Sequence, residues 1–251
     1  GVNVIEPSKM GIDGDLGFVS GLKIASVSKA KSLTESYYSP NEKRTNRSFT
    51  FREATIKLKN KAGTTLNADF RATNEGAAFR YSTKAPKAIA VKSEQTTFRL
   101  NASARAWLHP HADAETGWAE TQPSYEEQYE YDMPVGTKAP QKAGWSFPAL
   151  FKTGNNWVLI TEAGLTPDFV GTRLAQESPN GEYSIGFPQK GEMIDDNDPN
   201  YVISKNPVSP WRVIVVGSLA TVVESQMVSD MAPAADKKAD FSWVKPGKSS
   251  W

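Results

Sequence analysis

The chain of 251 residues contains no cysteine, which removes disulfides, thiolate metal sites and cysteine nucleophiles together. That absence leaves the compartment open, because many exported bacterial proteins also lack cysteine. Histidine is nearly absent as well, so any imidazole chemistry rests on His109 or His111. No stretch approaches the ~18 consecutive apolar residues of a membrane-spanning helix, and residues 1–20 have neither the basic start nor the apolar middle of a signal peptide. No membrane span is expected. Either the protein stays in the cytosol or its export signal lies outside this sequence. Charge of one sign is missing too: 29 Lys and Arg against 28 Asp and Glu leave a net charge of +1. With no basic tract, nucleic acid and anionic membranes are poor candidate partners. There is no phosphate loop, dinucleotide fingerprint, nucleophile elbow or Ser/His/Asp signature.

What is present points to β structure. Aromatics make up 10% of the chain, Gly and Pro number 18 and 16, and 39% hydrophobic content is enough for a packed core. In "LNADFRATNEGAAFRYST", Leu66, Ala68, Phe70 and Ala72 share one face, and the alternation resumes with Phe79 and Tyr81 after Asn74-Glu75-Gly76. This spacing predicts an antiparallel hairpin with Gly76 in the left-handed position of a three-residue loop. "FTFREATIKLK" and "IAVKSEQTTFRL" read as further strands of that sheet. "FPALFKTG" and "NWVLITEAG" flank a second hairpin signal at Gly154-Asn155-Asn156, and "YSIGFP" and "WRVIVVG" are later strands. After Gly217, helical spacing behind a Ser218 cap predicts a short helix. Residues 108–140 have no clear period and read as a long loop region over a sheet end. No fixed repeat or linker divides the chain, so the expectation is one large two-layer antiparallel β-sandwich; periodicity alone leaves an eight-bladed or barrel closure open.

Four groups of residues could carry chemistry. In "WLHPHADAE", His109 and His111 would point to one side of an extended backbone, and a metal would need Asp113 or Glu115 as a further ligand; otherwise this is a solvated loop. In "YEEQYEYD", Tyr125, Tyr129 and Tyr131 alternate with carboxylates, as in a sugar-stacking platform or an edge strand packing its rings inward; inward or edge packing is the preferred reading. Asp195, Asp196, Asn197 and Asp198 have the oxygen density of a calcium loop without the spacing of the 12-residue hand, and a solvated turn explains them better. Finally, Glu162 directly follows an apolar strand, where a carboxylate is costly unless paired, hydrogen-bonded or on a metal.

Six stretches in order resemble one family: "PSKMGI" (7–12), "FRATNEGAAFRY" (70–81), "LITEAGLTPDFVG" (159–171), "SPWRVIVVG" (209–217), "ESQMV" (224–228) and "FSWVKPGKSSW" (241–251). They are similar to the N-terminal domain of glycoside hydrolase family 97. The resemblance implies an all-β, large antiparallel two-layer β-supersandwich of the galactose mutarotase type with one or two short helices. That domain would cover residues 1–241, with 242–251 as the connector to a (β/α)8 catalytic barrel beyond this sequence. It implies an exported bacterial enzyme, periplasmic or outer-membrane associated, acting on α-glucosides or α-galactosides, with its catalytic residues on the barrel.

This chain alone would then be inactive, and its partners would be the barrel of the same polypeptide and an oligo- or polysaccharide. Carried over residue by residue, Glu162 of the "EA" motif resembles the carboxylate that helps the barrel hold calcium; the chain alone is expected to bind little or none. Trp211 and Arg212 of "PWR", with Trp243 and Trp251, fall at the expected domain junction. Trp243 would pack on the sandwich and Trp251 on the barrel side. The family also has further strand residues before "PSKMGI", so an unpaired strand edge is expected. The competing readings are a free-standing carbohydrate-binding module, or a mutarotase-like epimerase using His109 or His111 with Glu126 or Glu127. A non-enzymatic scaffold is a third.

Overall fold

The computed structural model describes residues 3–40, 42–113, 128–189, 192, 202–233, 243, 245, 247 and 248. Alternating sequence becomes strand almost everywhere: β1 (Ile12–Gly14), β2 (Lys23–Val27), β3 (Lys31–Tyr38), β4 (Asn46–Lys59), β5 (Thr65–Ala72), β6 (Gly76–Thr83), β7 (Ile89–Glu94) and β8 (Thr97–Arg99) come first. β9 (Arg105–Pro110), β10 (Glu130–Pro134), β11 (Trp145–Thr153), β12 (Asn156–Ala163), β13 (Arg173–Leu174), β14 (Glu182–Gly186), β15 (Val202–Ser204) and β16 (Trp211–Gly217) follow, before α1 (Leu219–Glu224) and α2 (Met227–Met231).

Thirteen strands form one antiparallel sheet whose main path runs β2-β4-β5-β6-β16-β12-β11-β13-β14-β8, with β3 on β4 and β9 carrying β10 beside β11. A three-stranded sheet, β1-β7-β15, completes the second layer. The main core lies between the layers, where Phe151 meets Tyr183 at 5.0 Å between ring centroids and Phe79 meets Phe98 at 6.5 Å. Each such ring pair adds about 0.5–1.5 kcal/mol beyond the area it buries. A smaller core on the opposite face of the sheet packs Trp211, Val213 and Val215 under α1 and α2. The two-layer antiparallel sandwich expected from the sequence is the fold observed.

Both predicted hairpins are present. Gly154 opens a two-residue loop with φ +58°, and Thr153 faces Asn156 across it. Gly76 serves a different purpose from the one expected. It begins β6 beyond the loop, and a Cβ there would stand 1.9 Å from the Ile214 carbonyl oxygen, so close approach of backbones requires glycine. "IAVKSEQTTFRL" does not continue the first sheet. β7 belongs to the small sheet and β8 to the far end of the large one, because the chain crosses between layers at Thr96, whose hydroxyl bonds the Tyr81 hydroxyl at 2.9 Å.

Residues 108–140 are more regular than expected, containing the end of β9 and all of β10. The predicted helix is two helices. Ser218 caps the first by accepting from Thr221 N at 3.1 Å, and Ser225 breaks the run with extended backbone, donating to Glu75 at 2.6 Å. β2 and β3 lie in succession along β4 as the sheet edge, each paired on one side only among the described residues. On α2, Asp230 accepts from Arg47 Nη2 at 2.6 Å and from the Tyr37 hydroxyl at 3.0 Å. Burial, reinforced by Asp230, pushes Tyr37 up to about 12.

Candidate functional site

Two polar networks meet at one end of the sandwich, joined through consecutive residues. The first grows from single charges on two neighbouring apolar strands. Glu162 on β12 pairs in register with Arg212 on β16, and both side chains are drawn inward to meet. Arg212 is fully enclosed: its Nε donates to Glu94 Oε1 at 3.0 Å and its Nη2 to Glu94 Oε2, while its Nη1 donates to Glu162 Oε2 at 2.7 Å and to Thr172 Oγ1 at 2.8 Å. Burial alone would lower the guanidinium pKa. Pairing with Glu94, then Glu162, more than reverses that and holds it above its ordinary value.

Thr172 completes the cradle, its hydroxyl donating to Glu162 Oε2 at 2.7 Å and its N–H to Oε1 at 3.1 Å. The two oxygens of Glu162 are therefore unequal. Oε2 is committed to Arg212 and Thr172, whereas Oε1 receives only the Thr172 N–H among the described residues and has the bare backbone of Gly171 beside it. The Glu162 side chain remains 17% exposed, while those of Arg212 and Glu94 are at 0%. Two carboxylates around one guanidinium leave a formal charge of −1, and the more lightly bonded oxygen is on the carboxylate that is partly exposed.

The next residue builds the second network. Arg173 Nη1 donates to His111 Nε2 at 2.9 Å and to Glu192 Oε2 at 2.9 Å, and its Nη2 donates to Glu192 Oε1. Because arginine can only donate, Nε2 is the acceptor, so the ring proton sits on Nδ1 and is donated to Ser146 Oγ at 2.8 Å. Both nitrogens of His111 are thus engaged, and Asp113 is turned away to accept from Ala143 N at 2.7 Å. Among the described residues, no group of three or more metal-ligating side chains gathers around His109 and His111. Glu115, Tyr125, Glu126, Glu127, Asp195, Asp196, Asn197 and Asp198 lie outside those residues.

Burial, then the Arg173 charge and to a smaller degree His109, hold His111 below its ordinary pKa, against opposing pulls from Glu192 and Asp113. The folded state therefore binds the proton less readily than the unfolded chain, whose histidine titrates near ~6.5. Stability contributed by neutral His111 is present above that pH and is lost as pH falls toward the folded-state pKa. Thermal unfolding followed between about pH 7 and about pH 5 is expected to show a loss that His111→Gln reduces; an unchanged slope in the variant would refute the assignment.

The remaining candidates separate. Trp211 is 2% exposed and enclosed by this chain itself, with the Arg71 and Arg80 guanidinium carbons 4.7 and 4.4 Å from its ring. A junction role for Trp211 or Arg212 would have to act through the groups around them. Trp243 is 76% exposed instead of packed on the sandwich, and Trp251 lies outside the described residues. Tyr131 sits on the edge strand β10 and Tyr129 immediately before it; the residues are 71% and 43% exposed, so neither is packed inward as the preferred sequence reading had it. The sequence reading missed Glu94, Thr172, Arg173 and Glu192. Only the lone arginine within an apolar strand, opposite the lone glutamate of another, was a signal for the first network.

Comparison with known proteins supplies the context. Residues 1–233 match the family described as Glycosyl-hydrolase 97 N-terminal. The whole chain aligns at 30% identity with a probable retaining alpha-galactosidase of Streptomyces bingchenggensis, of which it covers 36%. Among solved structures, a beta-arabinopyranosidase superposes with a TM-score of 0.86 at 33% identity, over 94% of this chain and 39% of that one. A variant of a Glycoside Hydrolase Family 97 enzyme from Pseudoalteromonas sp. strain K8 superposes with a TM-score of 0.78 at 25% identity, over 97% of this chain and 35% of the other. The chain thus spans little more than a third of the length of these relatives.

Proposed function

The chain belongs to the Glycosyl-hydrolase 97 N-terminal family, and from that premise we propose that it is the non-catalytic N-terminal domain of an exported glycoside hydrolase. In the whole enzyme it supports a catalytic barrel supplied by the same polypeptide and lends Glu162 to a calcium ion beside the reacting groups. The observation that carries this reading is the asymmetry of the Glu162 carboxylate: Oε2 is held by Arg212 and Thr172, whereas Oε1 receives only the Thr172 N–H among the described residues, on a side chain that is 17% exposed.

The donor set fits a shared site. Calcium takes six to eight oxygens, and this chain offers one carboxylate there, so the other ligands would come from the barrel. A divalent cation at that point would lower the barrier by polarising the oxygens it holds. The residues of this chain orient the carboxylate, offset its buried charge and shield it from rotation. The inner network Glu94-Arg212 makes that orientation rigid, since a planar guanidinium bound on both edges has no alternative rotamer.

The activities of two relatives, a probable retaining alpha-galactosidase and a beta-arabinopyranosidase, point to one substrate class. β-L-Arabinopyranosides and α-D-galactopyranosides carry the same arrangement of ring oxygens and differ only in the hydroxymethyl group at C5. We take the substrate to be a glycoside of that configuration, hydrolysed by the barrel with retention. The test uses both the full-length protein and this chain. In the former, Glu162→Gln should weaken calcium binding measured by calorimetry by about 10–100-fold and lower hydrolysis of nitrophenyl α-galactoside in step. This chain alone should show no turnover. Turnover by it that Glu162→Ala abolishes, or unchanged calcium affinity in the full-length variant, would overturn the reading.

A further inference from the structure

On the outer face of the large sheet, away from both networks' hydrogen bonds, aromatic rings run from β12 to the edge strand β10. Register places Trp157, Lys152 and Arg105 in one cross-strand row, and Trp107 beside Leu150 in the next. Trp107 and Trp157 contact each other at 4.8 Å between centroids and are half-buried, with the Lys152 ammonium 5.5 Å from the Trp157 ring. This closed end leads to an open one. His109 packs against Tyr129 at 4.9 Å, and Tyr129 lies 6.4 Å from Tyr131.

The open end is built, not frayed. β10 carries a bulge between Glu130 and Met133, so that two residues stand where one would oppose β9. Asp132 within it has φ +51°, a left-handed conformation that costs a non-glycine residue of order 1–3 kcal/mol. Arg105 holds it there, donating from Nε to Asp132 Oδ1 at 3.0 Å and from Nη2 to the Asp132 carbonyl. Bulges re-aim side chains and gather beside binding sites. Tyr131, inside the bulge, is 71% exposed, and Tyr129, immediately before the strand, is 43% exposed and in ring contact with it.

We propose that Tyr129 and Tyr131 are the floor of a saccharide-binding platform, with Arg105 and Asp132 as its polar rim and the Trp107–Trp157 pair closing its inner end. Phenol rings present flat apolar area with a polar tip, which suits the apolar face of a pyranose. A galactose-configured ring gathers its C–H groups on one face and directs its hydroxyls to the edge, where the Asp132 carboxylate can accept and the Arg105 guanidinium can donate. From β12 to β10 the stripe crosses three strand spacings, roughly 14 Å, enough for a short oligosaccharide. The ligand is a neutral galactosyl oligosaccharide. The choice of sugar class rests on the proposed function, whereas the platform itself rests on the geometry of β10 and of the residues beside it on β9 and β12.

The test is titration of this chain with stachyose, followed by saturation-transfer NMR and by tyrosine fluorescence. Binding is expected, with contacts to the galactosyl C–H groups, and Tyr131→Ala should weaken it by about tenfold, Tyr129→Ala similarly. Asp132→Asn should weaken it less while leaving the fold intact. Maltotetraose in parallel identifies the sugar class: equal binding of both would retain the platform and refute its galactosyl preference. No binding of either sugar, or binding unchanged in the Tyr129→Ala/Tyr131→Ala double variant, overturns the proposal. Glu162→Gln should leave stachyose binding by this chain unaltered, so failure here and failure of the calcium assignment are read separately.

Discussion

Arg212→Ala is expected to destabilise the domain by about 3–5 kcal/mol, a large share of the ~5–15 kcal/mol available to a folded protein. The physical reason is the number of groups left behind. Glu94 and Arg212 have side chains at 0% exposure, and the guanidinium is the hydrogen-bond partner of both Glu94 oxygens, of Glu162 Oε2 and of Thr172 Oγ1. Removing it strands a fully buried carboxylate, Glu94, beside the mostly buried Glu162. The folded state then answers by local unfolding around the stranded carboxylates. Urea unfolding of the wild type and Arg212→Ala reads the loss directly. A companion variant, Glu94→Leu with Arg212→Met, removes the fully buried carboxylate together with its partner, leaving only the partly exposed Glu162 without the arginine, and should recover part of the stability, because replacing a buried ion pair by apolar groups costs less than breaking it. If Arg212→Ala cost less than about 1 kcal/mol, the network would be no more than a surface-grade pair.

Gly144→Ala is the second large effect, at about 2–5 kcal/mol from strain and steric overlap together. Gly144 has φ +95°, and a Cβ there would stand 2.1 Å from the Leu174 carbonyl oxygen and 2.9 Å from the Ala175 carbonyl carbon. Both obstacles are backbone, which cannot rotate aside. The position also matters to the second network: the Gly144 carbonyl accepts from His111 N at 2.8 Å, and the next residue, Trp145, is wholly buried and pairs with Leu174. The substitution should therefore lower stability and also alter the His111 ring resonances by NMR. Gly154→Ala is the control. Its φ is +58° with nothing within 4 Å of a new Cβ, so only the conformational strain remains, about 1 kcal/mol. Equal losses at the two glycines would show that the close approach at Gly144 is relieved by movement.

The difference between Gly76 and Gly154 shows where sequence reading stops. Both stood between alternating segments and both were read as turn glycines. At Gly154 that is what the chain does, since a two-residue loop needs a positive φ locally. At Gly76 the requirement comes from Ile214, 138 positions away in the sequence numbering, whose carbonyl oxygen occupies the space of a Cβ. Likewise, Glu162 was legible as a carboxylate in the wrong place for water, and Arg212 as a charge in an apolar strand. Glu94 was not legible, because its strand shows no interruption that marks its end as buried. The alternation of Tyr129 and Tyr131 reads as inward packing, but the strand begins only at Glu130 and a bulge that no local residue announces contains Tyr131.

The sequence by itself determined the strands, the two hairpins, the capped helical end, the antiparallel sandwich and the family, because period-two alternation, turn residues and caps are local properties of neighbouring residues. It also marked Glu162. Only the tertiary structure decided that one thirteen-stranded sheet carries both cores. The same is true of the Glu94-Arg212-Glu162-Thr172 cradle, which leaves one carboxylate oxygen more lightly bonded, and of His111, which is spent on Ser146 and Arg173. Those facts depend on contacts between residues far apart in the chain. Such contacts are fixed by which layer each strand enters and by the cost of leaving a buried charge unpaired, and no local pattern encodes either.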